Sequence, residues 1–186
     1  GAMGLCNMTA ISEELLGQQV YPVKLAATAL FHLPSASRIR GTAPMDAYHT
    51  SVVVGSMEYG FSGAGIYICP PLRSHETING KTEVKQLGTT AVDPYDMVTK
   101  LDKYFARDTY DLLRKNCNSF SDCALFCLLG MRLDPNFRRM ERLGKAGQKK
   151  IGLVGMLRLV GLSYTENPAA DGFKLERVIE ELEAQL

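Results

Sequence analysis

The chain has 186 residues, 46% of them hydrophobic, and a formal net charge of +1. That is enough for one ordinary globular domain, and too little charge for a dominant nucleic-acid or membrane-binding field. Five cysteines (Cys6, Cys69, Cys117, Cys123, Cys127) form no CxxC pair, which argues against a disulfide framework or a structural zinc site and fits a reduced, intracellular compartment.

Gly1-Ala2-Met3 resembles a cleavage and cloning scar and is set aside. If the native start is Met3, Gly4 and Cys6 stand where myristoylation and palmitoylation would give a two-signal lipid anchor, although Met8 occupies the place of the usual Ser or Thr. Residues 4–19 read as a short extension. From Tyr21, the segment "YPVKLAATALF" alternates Val23, Leu25 and Ala27 and predicts a first strand. A Pro- and Ser-rich loop with Arg38 and Arg40 leads to "YHTSVVV", a β-branched second strand. Gly55-Ser56 suits a two-residue turn whose first position needs positive φ, so "MEYGF" is the returning strand. "IYICP" and "TEVKQLG" complete a run of antiparallel strands.

The period then changes. Asp93-Pro94 marks a helix start, and Met97, Val98, Leu101, Tyr104 and Phe105 describe an amphipathic helix ending near Ala106. "TYDLLRKN" is a connector. From Asn118 to Leu129, Phe120, Cys123, Ala124, Cys127 and Leu128 predict a largely buried helix, stopped by Gly130. Residues 132–158 hold eight Lys/Arg and two Asp/Glu, whereas 166–186 hold six Asp/Glu and two Lys/Arg. These are two solvated faces of opposite charge, or a tail that folds back on the basic stretch. "FKLERVIEELEAQL" ends the chain as an amphipathic helix. Strands followed by helices indicate an α+β fold, an antiparallel sheet or barrel packed against helices, with one domain over 20–160 and a linker and helix over 161–186. The longest apolar runs fall short of the ~18 residues of a membrane span.

The chemistry concentrates in "NCNSFSD". A cysteine attacks as thiolate, and a helix N-terminus lowers its pKa while offering unpaired N–H groups to an oxyanion. Cys117 stands at such a start, with Asn116, Asn118 and Ser119 as capping types that support it. Of three histidines, His49 opens a strand and is a candidate base; His32 ends an apolar strand and His75 lies in a polar loop. From the residues alone, a lone cysteine at a helix start is more often inert, and His49 more often a packed or surface residue. Cys69, Cys123 and Cys127 read as structural.

Four blocks, "YPVKL", "YHTSVVV", "YGFSGAGIYICPP" and "YDLLRKNCNSFSD", resemble the PPPDE family of thiol peptidases, also called desumoylating isopeptidases, over roughly residues 20–135. The resemblance implies a circularly permuted papain-like fold in which the histidine strand precedes the cysteine helix. It implies Cys117 as nucleophile, His49 as general base and no obligatory third member. It also implies a substrate groove beside the hairpin that carries Phe61, Ser62, Gly63 and Gly65. The expected substrates are ubiquitin-like protein conjugates, SUMO or ubiquitin on lysine. An S-acyl thioester is the alternative substrate, and a catalytically silent binding module the alternative role. No cofactor, metal or nucleic acid is expected, the family allows a homodimer, and the expected location is cytoplasmic, with nuclear or acyl-anchored membrane sites as alternatives.

Overall fold

The computed structural model describes residues 19–33, 45–139, 141 and 164–185. The acylation motif at Gly4 and Cys6, Arg38 and Arg40, and the apolar segment 151–161 lie outside them. Alternation drives the first half, as the spacing predicts. Strands β1 (Tyr21–Leu33), β2 (Met45–Val54), β3 (Met57–Ser62), β4 (Gly65–Cys69) and β5 (Thr82–Thr90) form one antiparallel sheet in the order β4-β3-β2-β1-β5. Gly55 takes φ 60° in the β2–β3 turn, the conformation glycine adopts without steric cost.

One face of the sheet carries Val23, Leu25, Val52, Val54 and Phe61 into the core. Against it pack α1 (Pro94–Asp102), α2 (Cys117–Leu129) and α3 (Leu175–Glu183). Asp93 caps α1 by accepting from the Tyr95 amide. The helix stops at Asp102, before the expected Ala106, because the Tyr104 and Phe105 amides turn back to Leu101 and Asp102 in a tighter turn that still buries Phe105. α2 is buried almost all round, including Asn118, Ser119, Ser121 and Asp122, and Gly130 ends it at φ 64°. The terminal helix contributes Leu175, Val178, Ile179 and Leu182 to the same core. No helix among the described residues is long and apolar enough to cross a membrane.

Two details position the site. β2 pairs with β1 along its length but with β3 only from Val52 to Val54, so the edge of β2 at residues 48–50 is left without a strand partner on that side. The other face of the sheet, where Thr28, Ser51 and Glu58 lie, is covered by the short 3-10 turn Arg73–His75.

Candidate active site

Asn116 does what its residue type predicts. Its side chain accepts from the Asn118 and Ser119 amides, and the Ser119 hydroxyl returns a bond to the Asn116 amide, a reciprocal capping box. The cap uses two of the amides that the sequence reading offers to an oxyanion, so neither is free for that role. Among the described residues, no hydrogen bond takes the amide of Cys117 itself.

Asn118 does not cap the helix. It is a buried clamp between α2 and β2. Its Oδ1 accepts from Thr50 Oγ1 at 2.8 Å, and its Nδ2 donates to the carbonyls of Tyr48 at 3.2 Å and Phe137 at 3.0 Å. Tyr48 and Thr50 are the two neighbours of His49, so one side chain ties the cysteine helix to the strand on both sides of the histidine. Ser121, one turn further on, lies 2.9 Å from Thr50 Oγ1 and reinforces the seam. Asp122 is fully buried, accepts from Arg132, Arg138 and the Leu133 amide, and Arg132 goes on to Glu176 of α3. The acidic tail thus meets the start of the basic stretch through this arginine.

Cys117 is 4% exposed, at a cleft lined by Leu30, Tyr48, Tyr110 and Phe137. Burial raises its pKa to about 11, and the polar surroundings supplied by Thr50, Tyr110 and Asn118 oppose the rise without cancelling it; the thiol itself donates to Asn118 Oδ1 at 3.9 Å. The sequence reading expects the helix start to favour the thiolate; in the structure desolvation outweighs it, and the resting group is a thiol.

His49 is turned to the other face of β2, with Ser51. Its Nε2 lies 2.8 Å from Ser74 Oγ and 3.5 Å from the Tyr67 hydroxyl, and its ring rests 4.7 Å from that of His75. Burial, together with the neighbouring His75, lowers its pKa to about 4, against a smaller opposing effect of Glu58. It is a neutral imidazole at neutral pH. No hydrogen bond joins Cys117 to His49 among the described residues. Tyr67 crosses from β4 over Gly60 of β3: a Cβ at Gly60 would stand 2.2 Å from the Tyr67 hydroxyl, so only glycine leaves room for this ring.

Two site residues escape the sequence reading. His75, placed there in a polar loop, is 3% exposed: its Nδ1 lies 2.7 Å from Thr28 Oγ1 and its Nε2 2.9 Å from Ser51 Oγ. Glu58 is wholly buried on β3, and bonds to Ser74. Their partners, on strands for His75 and on the Arg73–His75 turn for Glu58, lie 16 to 47 residues away, a distance at which spacing carries no signal. His49, Glu58 and His75 place three potential metal ligands within 4.8 Å of one another, types that suit zinc. Each, however, already has a hydroxyl partner from Ser74, Thr28 or Ser51.

The groove residues divide. Phe61 is 1% exposed, between Phe105 and Tyr110, and its ring belongs to the core and not to a groove. Gly65 is buried against the Arg107 backbone, whereas Ser62 is partly exposed and Gly63 exposed at the hairpin tip.

The family model described as "PPPDE putative peptidase domain" matches residues 19–150. The chain is also similar to "Desumoylating isopeptidase 1" of Homo sapiens, at 29% identity over 125 residues that cover 61% of this chain and 71% of that protein. A match over most of the chain, on a sheet-and-helix frame compatible with a papain-like fold, has one meaning: the chain belongs to the PPPDE peptidase family, and is a peptidase-type hydrolase.

Proposed function

We propose that this protein is a cysteine isopeptidase that removes a ubiquitin-like modifier from lysine, with Cys117 as nucleophile and His49 as general base. The observation that carries the reading is Asn118, whose three hydrogen bonds hold the start of the cysteine helix against both neighbours of His49. A nucleophile and a base on rigid elements, fixed to each other by a buried clamp, are arranged for covalent catalysis. His49 takes the proton of the Cys117 thiol as the sulfur attacks the isopeptide carbonyl. The proton then passes to the departing lysine amine, leaving a thioester. Water, deprotonated by His49, displaces the sulfur and releases the modifier's carboxylate. The Cys117 amide, which has no other partner among the described residues, is the first-turn donor for the tetrahedral oxyanion.

Neutral resting groups fit this sequence of steps, because a proton need only move once substrate has displaced water from the cleft. The exposed Gly63 allows an extended glycine-rich tail to approach the hairpin backbone closely. SUMO as modifier is suggested by the relative's name. Reaction with SUMO and ubiquitin carrying C-terminal electrophiles tests the proposal. The expected result is one adduct on Cys117, lost in Cys117→Ala and reduced at least about 100-fold in His49→Ala. An adduct that survives Cys117→Ala sinks it.

A further inference from the structure

Ser74 stands between a buried carboxylate and the candidate base, and proton counting fixes what it does there. A serine hydroxyl has one proton and two lone pairs. Glu58 is surrounded by donors: the Ser74 hydroxyl at Oε1, the Ser74 amide at 3.4 Å and the Cys69 thiol at 3.6 Å at Oε2. Glu58 is the acceptor in all three contacts, so the single Ser74 proton goes to Glu58. What Ser74 then presents to His49 Nε2, at 2.8 Å, is a lone pair. That contact is a hydrogen bond only if Nε2 carries a proton. In a neutral imidazole the other nitrogen, Nδ1, is then the unprotonated one.

The rest of the pocket leaves the Nδ1 edge open. His75 backs the His49 ring at 4.7 Å, and its own nitrogens are engaged by Thr28 and Ser51, so it does not compete for Ser74. Tyr67 approaches the same Nε2 edge at 3.5 Å. Every polar contact of the His49 ring is thus on its Nε2 edge, and among the described residues Nδ1 has no partner.

We propose that Glu58 and Ser74 are positioning residues that lock His49 in its Nε2–H tautomer and so make Nδ1 the atom that receives the Cys117 proton. The sequence reading assigns no third member to the Cys/His pair; this places a carboxylate and a hydroxyl in series behind the histidine. The proposal rests on the Cys117/His49 reading for its catalytic consequence, but the tautomer itself is observable without substrate.

The test is nitrogen-resolved NMR of the full chain with labelled histidine at neutral pH, assigned with His49→Gln. Wild-type His49 is expected as Nε2–H. Ser74→Ala is expected to mix the tautomers and to lower kcat about 10–100-fold with KM nearly unchanged, the range seen when a partner that orients an imidazole is removed. Ser74→Thr, which keeps the hydroxyl, restores the wild-type spectrum and most of kcat. A wild-type Nδ1–H form, or a Ser74→Ala His49 spectrum identical to wild type, overturns the proposal. Failure of Cys117 labelling would instead remove the nucleophile assignment and leave the tautomer result standing.

Discussion

At the scale of single residues, burial sets the chemistry. Cys117 and His49 are pushed in opposite directions, the thiol up to about 11 and the imidazole down to about 4, by the same loss of water. The ion pair is therefore not the resting state. Its signature belongs to alkylation kinetics: the rate of Cys117 modification by iodoacetamide, followed by mass spectrometry, should climb about tenfold per pH unit from pH 7 to 10. A plateau below pH 8 would mean a stabilised thiolate. The capping role of Asn116 was legible in the sequence because a cap reads groups two and three residues away. The role of Asn118 was not, since its strand partners lie 68 and 70 residues upstream. His75 misled for the same reason: in a run of polar residues it reads as solvated, and only two hydroxyls from separate strands make its burial tolerable.

At the scale of elements, strand alternation, the Gly55 turn and the capped helix starts were all written locally, and the sheet and helices follow them. What the sequence left open was contact between elements. It did not show that β5 crosses to pair with β1, or that β3 peels away from β2 after Tyr59. The α2–β2 seam has a measurable worth. Asn118→Ala removes the hydrogen bonds to the Tyr48 and Phe137 carbonyls and one of the two at the Thr50 hydroxyl, which keeps Ser121. It should cost about 2–3 kcal/mol in urea unfolding. Because the seam also aligns the candidate dyad, adduct formation should fall by about tenfold or more even at temperatures where the variant stays folded. A variant equally stable and equally reactive would show that the clamp holds nothing.

At the scale of the whole molecule, the neutral histidines couple stability to pH. Folded His49 has a pKa of about 4, below the ordinary 6.5, and burial lowers His75 in the same direction. Above pH 6.5 neither the folded nor the unfolded chain holds these protons, and nothing is lost. Between about 6.5 and 4 the unfolded chain binds the His49 proton and the folded chain does not, so stability falls as pH drops through that window, and His75 adds to the fall in the same direction. Urea midpoints should decline from pH 7 to 4.5, and His49→Gln should remove part of the decline; an unchanged slope would refute the assignment. The family was legible from four short blocks because they hold the strand β2 and the capped start of α2, which the Asn118 contacts bring together. The buried acid behind His49 was not, since it meets its partners only after the chain has closed.

That closure has a consequence in time. The Asn118 contacts join segments some 70 residues apart, and contacts of such separation form after local helices and hairpins during folding. A newly synthesised or refolding chain therefore carries its cysteine beside an incomplete partner set, and hydrolytic competence is the last property to arrive. Regain of electrophile labelling should trail regain of helix signal, so that the enzyme cannot cut before it has finished making itself.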